Sequence, residues 1–274
     1  MQSIARRARP IPVFIISFNR GAFLSRAVDS IRRLSRPTEI IVQDNGSTDR
    51  ATLEVLADLE SSGITIVRRP AIDEPDDLNL VDDTVQEFFA ARGDRSRYVV
   101  MDCDVDLGIA DPQALDVYDE LLDRFRNVEC VGPMLRIRDI PREYPLYNHV
   151  TNWHIEQFWS HHPSWVQTSI GPVAYLEHTV DTSFALHRAG ERFRRLKKAL
   201  RVYEPYEALH LDWYRSEVGS DTYAQTSAPG ISHWNSEAER ELRGHVELKY
   251  DRYYTVRRTF SGSLEPFEER LQSE

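Results

Sequence analysis

Asp44, Asp102 and Asp104 are the residues of this 274-residue chain whose types and placement could do chemistry. Asp44 closes the run EIIVQD, and Asp102 and Asp104 close YVVMDCD. In each case a short β-branched apolar run stops abruptly at aspartate, which is how a buried parallel strand delivers acidic side chains to its carboxyl end. Open α/β sheets bind ligands outside those ends, near a switch point in strand order. Two acidic strand tips on one edge therefore point to a nucleotide site with a divalent metal. Carboxylates suit such a site, because Mg²⁺ characteristically takes one or two of them and completes its shell with water and substrate phosphates. Asp106 extends the acidic run, either as a further ligand or as a solvated loop side chain.

The elements that must position these residues follow from hydrophobic spacing. Val13–Ile16 reads as a strand. Phe23, Leu24, Ala27, Val28, Ile31 and Leu34 recur at helical spacing until Pro37, and Ile40–Val42 forms the second strand. Thr52–Leu59 reads as a short helix, Ile64–Val67 as a third strand and Val81–Ala91 as another helix after the acidic stretch 73–77. Asp111-Pro112 reads as a helix opening, with a capping side chain and proline at the first helical position. Glu129–Val131 is the next strand. This alternation is the βαβ pattern of a parallel sheet.

The N-terminal stretch resembles family 2 of the GT-A glycosyltransferases. The matching residues are Ser17, Phe18, Asn19 and Arg20 after the first strand, Ser30 in the helix, Asp44-Asn45-Gly46-Ser47-Thr48-Asp49 after the second strand, and the Asp-x-Asp motif as Asp102-Cys103-Asp104. Asp-x-Asp by itself is weak, but this order over about a hundred residues is specific. The resemblance implies an α/β fold of GT-A (Rossmann-like) type, a mostly parallel sheet flanked by helices, with a C-terminal acceptor-binding region. It divides the domain into a nucleotide-sugar-binding half, 1–135, and an acceptor and catalytic-base half, 136–274. It implies transfer, with inversion, of a sugar from a nucleotide-diphosphate donor, UDP favoured, to a carbohydrate or glycolipid acceptor.

Site roles implied by the resemblance are as follows. Ser17, Phe18, Asn19, Arg20, Asp44, Asn45, Asp102 and Cys103 bind the nucleotide, Asp44 meeting the base; Ser47 and Asp49 read as turn and helix cap. Asp104 and, late in the chain, His233 hold Mn²⁺ or Mg²⁺. The base that takes the acceptor proton is Asp212, with His210 as its competitor and Glu177 and Asp181 as further alternatives. Arg68 and Arg69 are candidates for a diphosphate contact.

Beyond residue 138 the chain becomes rich in aromatic residues and histidine, including Tyr147, His149, Trp153, His154, Phe158 and Trp165. That suits loops and strands whose faces stack on sugar rings, with core packing an equal alternative. Asp181–His187 reads as a strand, Glu191–Leu200 as a basic helix, Ala208–Ser216 as a further helix, and the tail from Glu237 as a helix laid over the core.

Composition sets the outer bounds. The apolar fraction, 41%, suits a soluble globular domain. With 44 acidic and 34 basic residues the net charge is -10, which argues against nucleic acid as a partner. No apolar run approaches the ~20 residues of a membrane span, so the expectation is a cytoplasmic protein with at most peripheral membrane contact. The start, MQSIARRARPIP, reads as a basic arm. Cys103 and Cys130 suggest buried thiols in a reducing compartment. The rival readings are a nucleotidyltransferase, a non-catalytic nucleotide- or sugar-binding relative, and a metal-dependent hydrolase. The first would want a glycine-rich phosphate loop, and SFNRGAF has one glycine.

Overall fold

The computed structural model describes residues 9–72, 79–215, 222–226 and 246–271. Its centre is a nine-stranded sheet in the order β3-β2-β1-β4-β9-β6-β10-β8-β7. Strands β1 (Ile11–Ser17), β2 (Thr38–Asp44), β3 (Thr65–Arg68) and β4 (Tyr98–Asp102) are mutually parallel, and β6 (Cys130–Pro133) and β10 (Ala199–Val202) are parallel to each other. Strand β9 (Ala185–His187) runs antiparallel between β4 and β6, and the hairpin of β7 (Ser164–Gln167) and β8 (Pro172–Glu177) closes the far edge. Seven strands thus share one direction, and only β8 and β9 oppose it.

The sheet is buried on both faces because β1 alternates between two cores. Val13 and Ile15 join the larger cluster, with Leu24, Val28, Leu56, Leu115, Tyr118 and Leu122 of helices α1 (Gly21–Ile31), α2 (Arg50–Ser61) and α4 (Ala114–Arg124). Phe14 points the other way, to Val81, Val85 and Phe89 of α3 (Val81–Arg92) and to Tyr98. This period of two is what a strand covered on both sides requires. Among the described residues, two glycines are sterically required. A Cβ on Gly21 would sit 2.7 Å from the Thr52 Cα, so it permits the close approach of α1 to α2. Gly46 turns the chain after β2 at φ 76°, with Ala71 backbone against it.

The first half follows the expected pattern closely, except that α4 begins two residues late. Asp111 accepts the Gln113 N–H at 2.9 Å in a turn, and the helix starts at Ala114 without a side-chain cap. Larger corrections come in the second half. The aromatic stretch contains a helix, α5 (Tyr147–His154), which continues as a π-helical turn over Ile155–Trp159. Asp181–Phe184 is not strand; only Ala185–His187 is. Glu191–Leu200 is not a helix. Asp82 captures the Phe193 N–H at 2.7 Å, Asn79 the Arg195 N–H at 3.0 Å, and the run ends in β10, whose ladder partners lie far away in sequence. Tertiary hydrogen bonds here outweigh a helical spacing. In place of a helix over 208–216 the chain forms a two-residue strand, β11 (Leu209–His210), paired to β5 (Val105–Asp106), then one 3₁₀ turn, Leu211–Tyr214. Of the tail expected as a helix from Glu237, residues 237–245 lie outside the described residues, and the described part forms a hairpin, β12 (Arg252–Arg258) with β13 (Leu264–Arg270). Its cross-strand pairs Arg252–Glu268 and Arg257–Glu265 explain the charge that disguised the alternation. No helix among the described residues is long and apolar enough to cross a membrane.

Candidate active site

Parallel register sets the acidic tips side by side: Ser17 lies opposite Asp44 on one flank of β1, and Ile16 opposite Asp102 on the other. The sheet order reverses at β1, where the chain passes from β2 and β3 on one side to β4 on the other. A cavity of about 320 Å³ opens beside the end of β4, and Arg20, Asp102, Asp104 and His210 all contribute to its lining.

Arg20 is the electrostatic centre. Its Nη1 donates to Asp104 Oδ2 at 2.6 Å and its Nη2 to Asp212 Oδ1 at 3.0 Å. Burial works against the guanidinium charge, but Asp212 and Asp104 outweigh it and raise the pKa above its ordinary value. The Tyr223 ring of α6 (Thr222–Thr226) lies 3.6 Å from the guanidinium carbon. Asp104 is brought to this point by the β5–β11 ladder, continued by Leu211 N–H to the Asp104 carbonyl at 2.7 Å. The same ladder sets His210 Nε2 3.7 Å from Asp104 Oδ2 and stacks its ring on Trp213 with centroids 4.6 Å apart.

Asp212 is 1% exposed, does not line the cavity, and also receives Arg215 at 2.9 Å. Its Oδ2 and Asp104 Oδ1 are buried without a hydrogen-bond partner among the described residues. Asp102 accepts from the Thr182 hydroxyl. Burial pushes its carboxyl up to about 7, with Arg195 opposing and Asp104 adding to the rise.

The other sequence candidates build the shelf behind the cavity. Asn19, in the left-handed region at φ 49°, accepts the N–H groups of Thr48 and Asp49 at 2.8 and 2.9 Å, and its amide donates to Thr226. Ser47 receives the Asn19 N–H and donates to Asp44, so the Asp44 carboxylate is engaged within its own turn. Asp49 caps α2 through Thr52. Asn45 accepts from Gln43, Cys103 is buried with its N–H on Ile16, and Phe18 meets Tyr223 edge-on. Ser17 Oγ is buried and has no partner among the described residues. Ser30 accepts the Leu107 N–H at 3.2 Å. Asp106 is neither solvated nor open to a ligand: Arg26 and the Gly108 N–H occupy it. Arg68 is bound to Glu60, and Arg69 to Thr84 and Glu87. His233 lies outside the described residues.

Sequence reasoning missed Arg195, Thr182 and Arg201, which also line the cavity. Arg195 is hidden in a segment whose spacing reads as helix, but Arg201 carries a signal: a charged residue inside the apolar run ALRV.

The described residues contain no group of three His, Cys, Asp or Glu side chains arranged to hold a metal. The unpartnered Asp104 Oδ1 beside Asp102 nevertheless fits a hard cation that takes few protein ligands and finishes its shell with phosphate oxygens.

The sequence profile described as "Glycosyl transferase family 2" matches residues 13–164. No curated protein matches the chain. Among solved structures it is similar to mannosyltransferase PcManGT from Pyrobaculum calidifontis in complex with GDP-Man and Mn²⁺, at 15% identity over 65% of this chain and 44% of that one, TM-score 0.40. It is also similar to S. aureus TarS (12% identity, 65% and 28% covered, TM-score 0.39). A third is glucosyl-3-phosphoglycerate synthase from Mycobacterium tuberculosis with Mn²⁺, UDP and glucosyl-3-phosphoglycerate (19% identity, 54% and 52% covered, TM-score 0.32). The chain thus spans about half or less of the length of these structures.

Proposed function

This chain belongs to glycosyl transferase family 2, and from that premise we propose that it moves a sugar from a nucleoside-diphosphate donor, UDP favoured, to a hydroxyl acceptor held in the cavity beside Asp104. The observation that carries this reading is the convergence of Asp102, Asp104, Arg20 and His210 on one cavity at the switch point of a mostly parallel sheet. Asp104, with Asp102, would hold Mn²⁺ or Mg²⁺, which when bound supplies Lewis-acid neutralisation of the departing diphosphate. Arg20 holds the Asp104 carboxylate in place, and its guanidinium, which also lines the cavity, would be a second cation for the leaving group. Asp44 and Ser17 frame the nucleoside at the end of β1 and β2.

The group that takes the acceptor proton must come within hydrogen-bond reach of the hydroxyl. His210 lines the cavity, its ring stacked on Trp213 and its Nε2 3.7 Å from Asp104 Oδ2. Asp212, the choice from sequence, lies behind Arg20 with one oxygen facing two guanidinium groups. We therefore assign the base to His210 and to Asp212 the holding of Arg20. A single in-line displacement with that base inverts the anomeric centre.

Thermal unfolding against UDP, GDP, dTDP and CDP, with and without Mn²⁺, tests the donor site. A ligand at about 100 times its Kd adds about 2.7 kcal/mol. One nucleotide should raise the melting temperature, with metal strengthening the shift and Asp104→Ala removing it. No shift with any nucleotide would overturn the reading.

A further inference from the structure

Among the described residues, the cavity contains one arginine that their ion pairs leave over. Arg20 is shared between Asp104 and Asp212, and Asp181 grips Arg195 through two contacts of 2.6 Å. Arg201, on β10, is 5% exposed, lines the cavity and has no carboxylate ion-paired with it among the described residues. Its Nε donates to the Thr179 carbonyl at 2.8 Å, its Nη1 reaches the Pro133 carbonyl at 3.5 Å, and its guanidinium carbon lies 4.1 Å from the Phe158 ring centre. A guanidinium carries five N–H donors in a planar fork, and these contacts use two. Burial lowers its pKa to about 10, with Asp181 only partly opposing. A desolvated charge without a counter-ion is costly, and most buried charges are paired. Beside it the cavity wall offers the aromatic side chains of Trp153, Phe158 and Trp213, and the Ser183 hydroxyl, which has no partner among the described residues.

We propose that Arg201 receives an oxyanion, a carboxylate or phosphate carried by one of the two sugars joined in this cavity, so that the chain acts on an acidic sugar. The inference rests on the glycosyl-transfer reading for its reaction, but the anion site itself is testable without it. Arg matches both anions with paired N–H donors, and a neutral sugar in the same place would leave the guanidinium unanswered. The anion could sit on the donor sugar or on the acceptor.

Binding is measured by tryptophan fluorescence of the full chain, since Trp153 and Trp213 line the cavity. UDP-glucuronate is compared with UDP-glucose, and glucose 6-phosphate with glucose, the second pair both with and without UDP. The acidic member of at least one pair should bind at least tenfold tighter. Preference in the first pair places the anion on the donor; preference in the second places it on the acceptor. Arg201→Gln should abolish the preference while the affinity for UDP stays unchanged. Equal binding within both pairs, or a preference that survives in Arg201→Gln, overturns the proposal. A wild-type chain that ignores UDP yet discriminates between the two free sugars would sink UDP as the donor nucleotide and keep the anion site.

Discussion

Arg20 and His210 illustrate how much the site depends on single side chains. Arg20 bridges two buried aspartates, Asp104 and Asp212. Removing one partner from a buried ion pair costs about 3–5 kcal/mol, because the remaining charge has no answer. Arg20→Met should lose about that much in urea denaturation. Arg20→Lys should recover only part, since an ammonium cannot fork to two carboxylates as a guanidinium does. An unchanged denaturation midpoint in Arg20→Met would show that the pairs contribute nothing. For His210, general-base catalysis is typically worth 10²–10⁴-fold. His210→Gln should reduce kcat/KM by about 100-fold or more and leave nucleotide affinity intact. If Asp212→Asn has that effect and His210→Gln does not, the two roles are exchanged.

At the scale of elements, the site is assembled by short and local devices. The two-residue β5–β11 ladder joins the acidic loop to the 3₁₀ turn, so Asp104, His210 and Asp212 arrive together although about a hundred residues separate them. The loop after β1 is fastened to the loop after β2 by Asn19 and Ser47, and α1 is seated against α2 at Gly21. Overpacking a close contact of this kind costs about 1–3 kcal/mol. Gly21→Ala should fall in that range by chemical denaturation, because the nearest atoms are Thr52 and Ala51 backbone, which cannot rotate away. A neutral substitution would mean that the helices can separate without loss. The motif residues Ser30, Ser47 and Asp49 serve this scaffold: each is satisfied by neighbouring groups of the chain.

For the molecule as a whole, the buried histidine of β9 ties stability to pH. His187 is 2% exposed, stacked on Tyr98 and edge-on to Phe193, and both its ring nitrogens lack a partner among the described residues. Burial, with Lys197 adding to it, lowers its pKa to about 3. The unfolded chain takes up this proton near pH 6.5, while the folded chain resists it down to about 3. Stability from this group is therefore complete above pH 6.5 and is lost as pH falls below it, by up to about 1.4 kcal/mol per pH unit. His187→Phe should flatten the decline when melting is followed from about pH 7.5 to about pH 4.5, a window set by that linkage. A slope equal to wild type would exclude His187 as its source.

What the amino-acid sequence determined by itself is the half of the molecule built from local βαβ repeats. There, strand and helix periods, Pro37 and the abrupt aspartates place β1, β2 and β4 and carry Asp44, Asp102 and Asp104 to one edge, because each element's pattern is complete within its own short stretch of chain. The second half was decided by tertiary contacts. Strand β10 exists because β6 and β8 flank it, and β11 because β5 pairs with it. A hydrogen bond between residues far apart in the chain leaves no periodic trace in either segment, and so Arg195 and the shielding of Asp212 by Arg20 emerged only when the chain was folded.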